Sequence, residues 1–83
     1  MPEVVIGKVT HFFGKISVAI VELTASLTVG QTVHFKGAHT DFKQTVESMQ
    51  IEHVNVQEAK AGDAIGIKVS GKVREGDEAL LET

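Results

Sequence analysis

Four histidines are the first side chains to weigh for chemistry: His11, His34, His39 and His53. A zinc centre needs three or four converging ligands, and a chain without cysteine offers only nitrogen and oxygen donors. His34 and His39 flank Gly37, but histidines set among alternating residues are ordinarily surface or interstrand partners. No metal site is assigned to them. Ser17, Ser26, Ser48 and Ser70 lack a nucleophile signature of the G-x-S-x-G kind. Asp77 and Glu78 are adjacent carboxylates, and adjacent residues of a strand point to opposite faces, which weakens any acid–base pair there. The chain therefore reads as non-enzymatic, with no catalytic, cofactor or metal residue.

A small pattern recurs three times. Ala61-Gly62-Asp63-Ala64-Ile65 and Glu75-Gly76-Asp77-Glu78-Ala79 are close copies, and Val29-Gly30-Gln31-Thr32-Val33 is a looser one. A phosphate-binding loop needs backbone N–H groups at a helix N-terminus, with a lysine and a hydroxyl close behind. Each copy instead precedes an alternating apolar run. The expected role is a turn into a strand: glycine supplies left-handed backbone geometry, and Asp63, Asp77 or Gln31 hydrogen-bonds nearby backbone.

Phe12 and Phe13 are the most suggestive apolar residues. Successive strand residues face opposite sides, so the two cannot both enter one core. One of them is expected at a hairpin tip beside Lys15, with Lys8 on the same strand. An exposed aromatic next to a cation can stack on a base or fill a partner's pocket. Lys8, Phe12, Phe13 and Lys15 are accordingly the candidate partner-binding residues, for a protein or an RNA.

The elements that must position these residues are strands. Ile16, Val18 and Ile20 share one face, with Ser17 and Ala19 opposite. Val33 and Phe35 alternate with Thr32 and His34; Ile65, Ile67 and Val69 alternate with Ala64, Gly66 and Lys68. Such short runs with a period of two, ended by glycine and polar residues, read as half-buried strands. Strands are predicted near 3–12, 15–23, 31–37, 41–53, 64–70 and 78–82. Phe12-Phe13-Gly14-Lys15 reads as a hairpin turn with Gly14 at positive φ. Gly7 reads as a bend or close-packing point. The apolar spacing Val46, Met49, Ile51 suggests a β-bulge inside the fourth strand. The segment NVQEAKAG is too short for a stable helix. Six short strands suggest a small closed antiparallel barrel, because closure removes exposed edges.

The 83 residues suffice for one small domain, 1–83, and 42% are hydrophobic, within the globular range. Disulfides are excluded, and the chain reads as cytoplasmic. MPEVVIGKV does not resemble a signal peptide, and the apolar run Ile16 to Leu23 is too short to span a bilayer. A net charge of −3 argues against strong sequence-independent nucleic-acid binding. Residues 1–45 carry four lysines against Glu3, Glu22 and Asp41, whereas the acids concentrate after residue 45.

SLTVGQTVHFKG, with Leu27, Val29, Gly30, Val33, Phe35 and Gly37, resembles a stretch of the second domain of elongation factor Tu and related translational GTPases. AKAGDAIGIKVSG is similar to that family's A-G-D-x-apolar-G segment through Ala61, Gly62, Asp63, Ile65 and Gly66. VREGDEALL is similar to its closing turn and strand. The order and spacing of all three agree. The resemblance implies a closed six-stranded barrel of the translation-factor type. The same barrel also resembles the C-terminal domain of collagenase-like peptidases, and the hairpin VTHFFGKISVAIVEL is nearer to that version. The chain has neither a P-loop nor an N-K-x-D signature, so no GTP binding is expected, and Gln31 replaces the usual aspartate. The resulting expectation is a stand-alone translation-factor-like binding or adaptor module for RNA, the ribosome or a protein. The alternative is a detached accessory domain of a peptidase-like enzyme. Oligomeric state is not legible in these residues.

Overall fold

The computed structural model describes residues 3–38, 40–52 and 54–82, with Glu82 by its backbone alone. Ten strands form among the described residues: β1 (Glu3–Phe13), β2 (Val18–Leu23), β3 (Leu27–Thr28), β4 (Thr32–Lys36), β5 (Asp41–Thr45), β6 (Met49–Ile51), β7 (Val54–Val56), β8 (Glu58–Ala59), β9 (Ala64–Lys68) and β10 (Glu78–Glu82). The described residues form no helix. All pairings are antiparallel. Eight strands build one sheet in the order β5-β4-β10-β1-β2-β9-β6-β7, and β3 pairs with β8 in a second, two-stranded sheet.

The all-β expectation holds, but neither sheet closes into a six-stranded barrel, because β5 and β7 remain edges. The reason lies in the predicted strand 41–53. Its first part, β5, pairs with β4, and β6 pairs with β9 near the far end of the same sheet. Residues 46–48 form the corner between them. The spacing slip at Val46 and Met49 is thus a change of partner and not a bulge within one ladder. Both residues are buried, so the corner turns around the core. The Gln44 side chain crosses the gap beyond the corner. The Gln44 amide donates to the Lys68 carbonyl at 2.8 Å and accepts from the Ser70 N–H at 2.8 Å. A primary amide here stands in for a peptide group of the missing ladder.

The recurring glycine pattern forms three turns of one design. Gly30, Gly62 and Gly76 have φ of 100°, 94° and 91°, as the third residue of a type II turn requires. The backbone N–H of Gln31, Asp63 and Asp77 donates to the carbonyl of Thr28, Lys60 and Arg74. The same three side chains accept in return from the N–H of Thr28, Lys60 and Arg74, at 2.8–2.9 Å. Each turn then grips one residue elsewhere in the fold. Gly30 N–H and the Gln31 carbonyl bond Val46; Gly62 N–H and the Asp63 carbonyl bond Leu23; Gly76 N–H and the Asp77 carbonyl bond Val9. All three gripped residues are buried.

The core gathers Ile6, Val9, Val21, Leu23, Leu27, Val33, Phe35, Met49, Ile65 and Ile67, among others, into one apolar cluster. Burying each large aliphatic stabilises the fold by about 1.5–3 kcal/mol. Gly7 lies opposite Leu23, where β1 packs tightly against β2. A Cβ there would sit 2.7 Å from Val21 Cγ1 and 2.8 Å from the Glu22 carbonyl oxygen. β1 shifts register beside it, between Val5 and Gly7.

The first hairpin differs from expectation. β1 continues through Phe13, and residues 14–17 form the loop. Ile16 N–H bonds the Phe13 carbonyl, and Ser17, not Gly14, takes positive φ, at 55°. The left-handed residue falls where the chain re-enters β2. A Cβ at Gly62 would meet nothing within 4 Å, so the cost of adding one is purely conformational. Gly62→Ala should destabilise by about 1–2 kcal/mol. Gly7→Ala should cost at least as much, about 1–3 kcal/mol, through steric conflict. Urea unfolding measures both, and a neutral Gly62→Ala would show that the turn does not limit stability.

Candidate functional site

Paired residues of neighbouring strands lie on one face, so the ladder registers map the outer surface of the sheet directly. One row runs His11, Ile20, Gly66, Gln50 and Asn55 across β1, β2, β9, β6 and β7. The row beside it holds Phe13, Val18 and Lys68, and the row on the other side Lys8, Glu22 and Ala64. The register shift between Val9 and His11 brings His11 and Phe13 into this face. β2 therefore points Ala19, Val21 and Leu23 into the core and Val18 and Ile20 outward. The face grouping of Ile16, Val18 and Ile20 read from the sequence is right, but it is the outer face that they share.

The consequence is an apolar trough on the surface. Phe13, Ile16, Val18 and Ile20 form its apolar part, Ala64 and Gly66 its small-residue floor, and Gln50 and Glu52 its polar side. Its volume is about 230 Å³. Phe13 is 50% exposed and Ile16 61%. The floor is low because β9 places no side chain at Gly66; a Cβ there would stand 3.4 Å from Val18 and 3.6 Å from Ile20. His11 stacks along Phe13, with ring centroids 6.4 Å apart and planes at 25°. His11 Nδ1 lies 3.5 Å from a carboxylate oxygen of Glu75. An apolar depression with a polar rim suits an apolar side chain of a partner.

The four candidate residues separate. Phe12 turns to the other side of β1, where it packs half-buried against the core. Phe13 enters the trough. Lys8 shares the outer face with Phe13 but lies beyond His11, opposite Glu22. Lys15 is exposed in the hairpin loop. Sequence reasoning missed Val18, Ile20 and Gly66 as surface residues. The available signal was that VAIVEL is apolar in both phases of its alternation, so that one apolar face had to remain outside.

Two further features lie outside the trough lining. His34 is 8% exposed. Its Nδ1 lies 2.7 Å from Glu3 Oε2 and its Nε2 2.5 Å from Asp41 Oδ1. The hydrogen bond to Asp41 holds the imidazole pKa above its usual value against the opposing effect of burial, with Glu3 adding to the rise. The same bond lowers the Asp41 carboxyl pKa. His39 and His53 lie outside the described residues. Among the described residues no group of three histidine or carboxylate ligands is arranged for a metal ion. The second feature is a cleft of about 400 Å³ beside the Gln44 bridge, lined by Gln44, Thr45, Glu47, Ser48, Lys68, Val69 and Ser70. No helix among the described residues is long and apolar enough to cross a membrane.

No protein-family model matches the chain. It is 41% identical over 80 residues to an uncharacterized protease of Methanocaldococcus jannaschii. That match takes in 95% of this chain and only 20% of the protease, so the chain spans about a fifth of its relative's length. Two crystal structures of the C-terminal domain of a Geobacillus thermoleovorans protein described as a U32 peptidase have the same fold. One superposes with a TM-score of 0.89 at 20% identity, covering 95% of this chain and 92% of the other. The selenomethionine form gives 0.87 at 19%, covering 92% and 96%. The C-terminal peptidase domain, and not the elongation factor, is the likeness that these comparisons support.

The contrast between the two phenylalanines is measurable. Phe12→Ala should lose about 2–3 kcal/mol of stability, and Phe13→Ala less than about 1 kcal/mol. Denaturant unfolding separates them, and an equal loss would place Phe13 in the core.

Proposed function

We propose that this chain is a non-catalytic accessory β-domain of a peptidase-like enzyme, and that the Phe13 trough is its contact face on the catalytic part. The observation that carries the reading is the 41% identity to one fifth of a protease, over nearly the whole of this chain. A segment of that size leaves the greater part of the relative to house the catalytic machinery. The shared fold with an isolated C-terminal peptidase domain supports the same division of labour. The reading takes precedence over a translation-factor role, because the proteins to which the chain is similar are named as peptidases.

The trough adds a physical reason for docking. Phe13 and Ile16 together expose apolar surface beside Val18 and Ile20. Covering such a surface is favourable by about 25 cal/mol per Å² of apolar area removed from water. An aromatic lining a small apolar depression is the type of residue on which interface energy concentrates.

The probe for a binding test is the part of the Methanocaldococcus jannaschii protease outside the matched residues, titrated with this chain by calorimetry. Saturable binding in the micromolar range is expected, of the order of −8 kcal/mol. Gly66→Leu fills the floor of the trough without demanding positive φ, and should weaken binding at least about tenfold while the protein stays folded. Absence of binding by the wild-type chain, or undiminished binding by Gly66→Leu and Phe13→Ala alike, overturns the assignment of this face. Preferential capture of RNA would return the chain to the translation-factor reading.

A further inference from the structure

His34 joins three strands at one point. It stands on β4, and its two ring nitrogens meet carboxylates from β1 and β5. Neutral imidazole carries one N–H and one lone pair, so it satisfies one carboxylate and turns a lone pair toward the other. Only imidazolium donates to both at once. The side chain is nearly buried, Glu3 is 23% exposed, and Asp41 is 76% exposed. The Glu3 arm is therefore sheltered, and the Asp41 arm reaches over the edge of the sheet.

That edge is β5, which has a ladder partner on one side only. Its other side faces the cleft, which the Gln44 amide crosses to the Lys68 carbonyl and the Ser70 N–H. We infer that His34 is a proton-operated latch: in its imidazolium form it fastens edge strand β5 to β4 and β1, and on losing the proton it releases Asp41 and loosens β5 along the cleft.

Several charges share the neighbourhood. β5 contributes Asp41 and Lys43, the latter directly opposite His34 in the ladder. β4 itself contributes Lys36, paired with Asp41 and with Glu78 of β10. β10 places Leu80 opposite His34, and β1 contributes Glu3, with Glu82 at the register position facing it. Lys36 and Lys43 both favour ionised Asp41. Asp41 therefore stays ionised when His34 loses its proton, and the break occurs at the imidazole.

The direction with pH follows from the two shifts. His34 has its folded pKa raised above 6.5, so its contribution is complete below 6.5 and disappears as pH rises through the raised value. Asp41 has its folded pKa lowered below 3.8, so its contribution is present above 3.8 and disappears only on strong acidification. The latch is closed between those limits and opens on the alkaline side.

NMR on the intact chain tests this. At pH 6 both imidazole nitrogens of His34 should carry protons, and the ring should titrate above 6.5. Amide exchange of residues 41–45, corrected for its intrinsic pH dependence, should speed up by about tenfold between pH 6 and pH 9, while β2 and β9 keep their protection. In Asp41→Asn and in His34→Gln this extra pH dependence should vanish. Asp41→Asn changes an exposed group and keeps its shape, so the test survives even if His34→Gln does not fold. Gln44→Ala should raise exchange in β5 equally at both pH values. A His34 ring titrating below 6.5, or the same pH response in wild type and Asp41→Asn, overturns the latch.

Discussion

Three hydrogen-bonded turns carry the architecture. In each, a glycine at positive φ frees its own N–H to point outward, and the next residue folds its side chain back onto the start of the turn. The outward N–H and the following carbonyl then hold one distant, buried residue: Val46, Leu23 or Val9. Each residue so held stands where the sheet needs a fixed bend. Val46 opens the corner between β5 and β6, Leu23 ends β2, and Val9 precedes the register shift in β1. A buried backbone group without a partner costs about 1–3 kcal/mol. The turns thus satisfy polar groups just where a ladder stops supplying them.

The surface features are consequences of those fixed bends. The shift after Val9 turns His11 and Phe13 to the outer face, opposite Ile20 and Val18. With Gly66 opposite Ile20 on the other side, an apolar depression forms over a floor that lacks a side chain. The corner at 46–48 carries the chain from one side of the sheet to the other and leaves a seam. Gln44 spans the seam with a single amide, and His34 anchors the strand on which Gln44 sits. Trough and seam are lined by different residues, so the proposed partner contact and the proposed proton latch draw on separate parts of one small sheet.

How much of this was legible depends on the range of the interaction concerned. The turns at Gly30, Gly62 and Gly76 were readable because four consecutive residues contain both the conformation and its hydrogen bonds. The inward phase of β4 and β9 was readable because Val33, Phe35, Ile65 and Ile67 alternate with smaller or polar residues. Gly7 as a close-packing point was readable for a similar reason, since a glycine inside an apolar strand marks a near approach. β2 was not, because Val18-Ala19-Ile20-Val21 is apolar on both faces and its neighbours decide which one is covered. The burial of His34 was hidden too, because Glu3 precedes it by thirty-one positions.

The amino-acid sequence by itself determined an all-β chain, the approximate place of its strands, and the three glycine turns that join them. These are local properties, set by side-chain alternation and by the few residues that tolerate positive φ. Only the tertiary structure decided that the sheet stays open at β5, that Phe13 and not Phe12 faces outward, and that His34 lies between two carboxylates. Those outcomes depend on register, and register is set by hydrogen bonds between residues far apart in the chain. One register shift, after Val9, placed Phe13 beside Val18, and no run of neighbouring residues encodes that encounter.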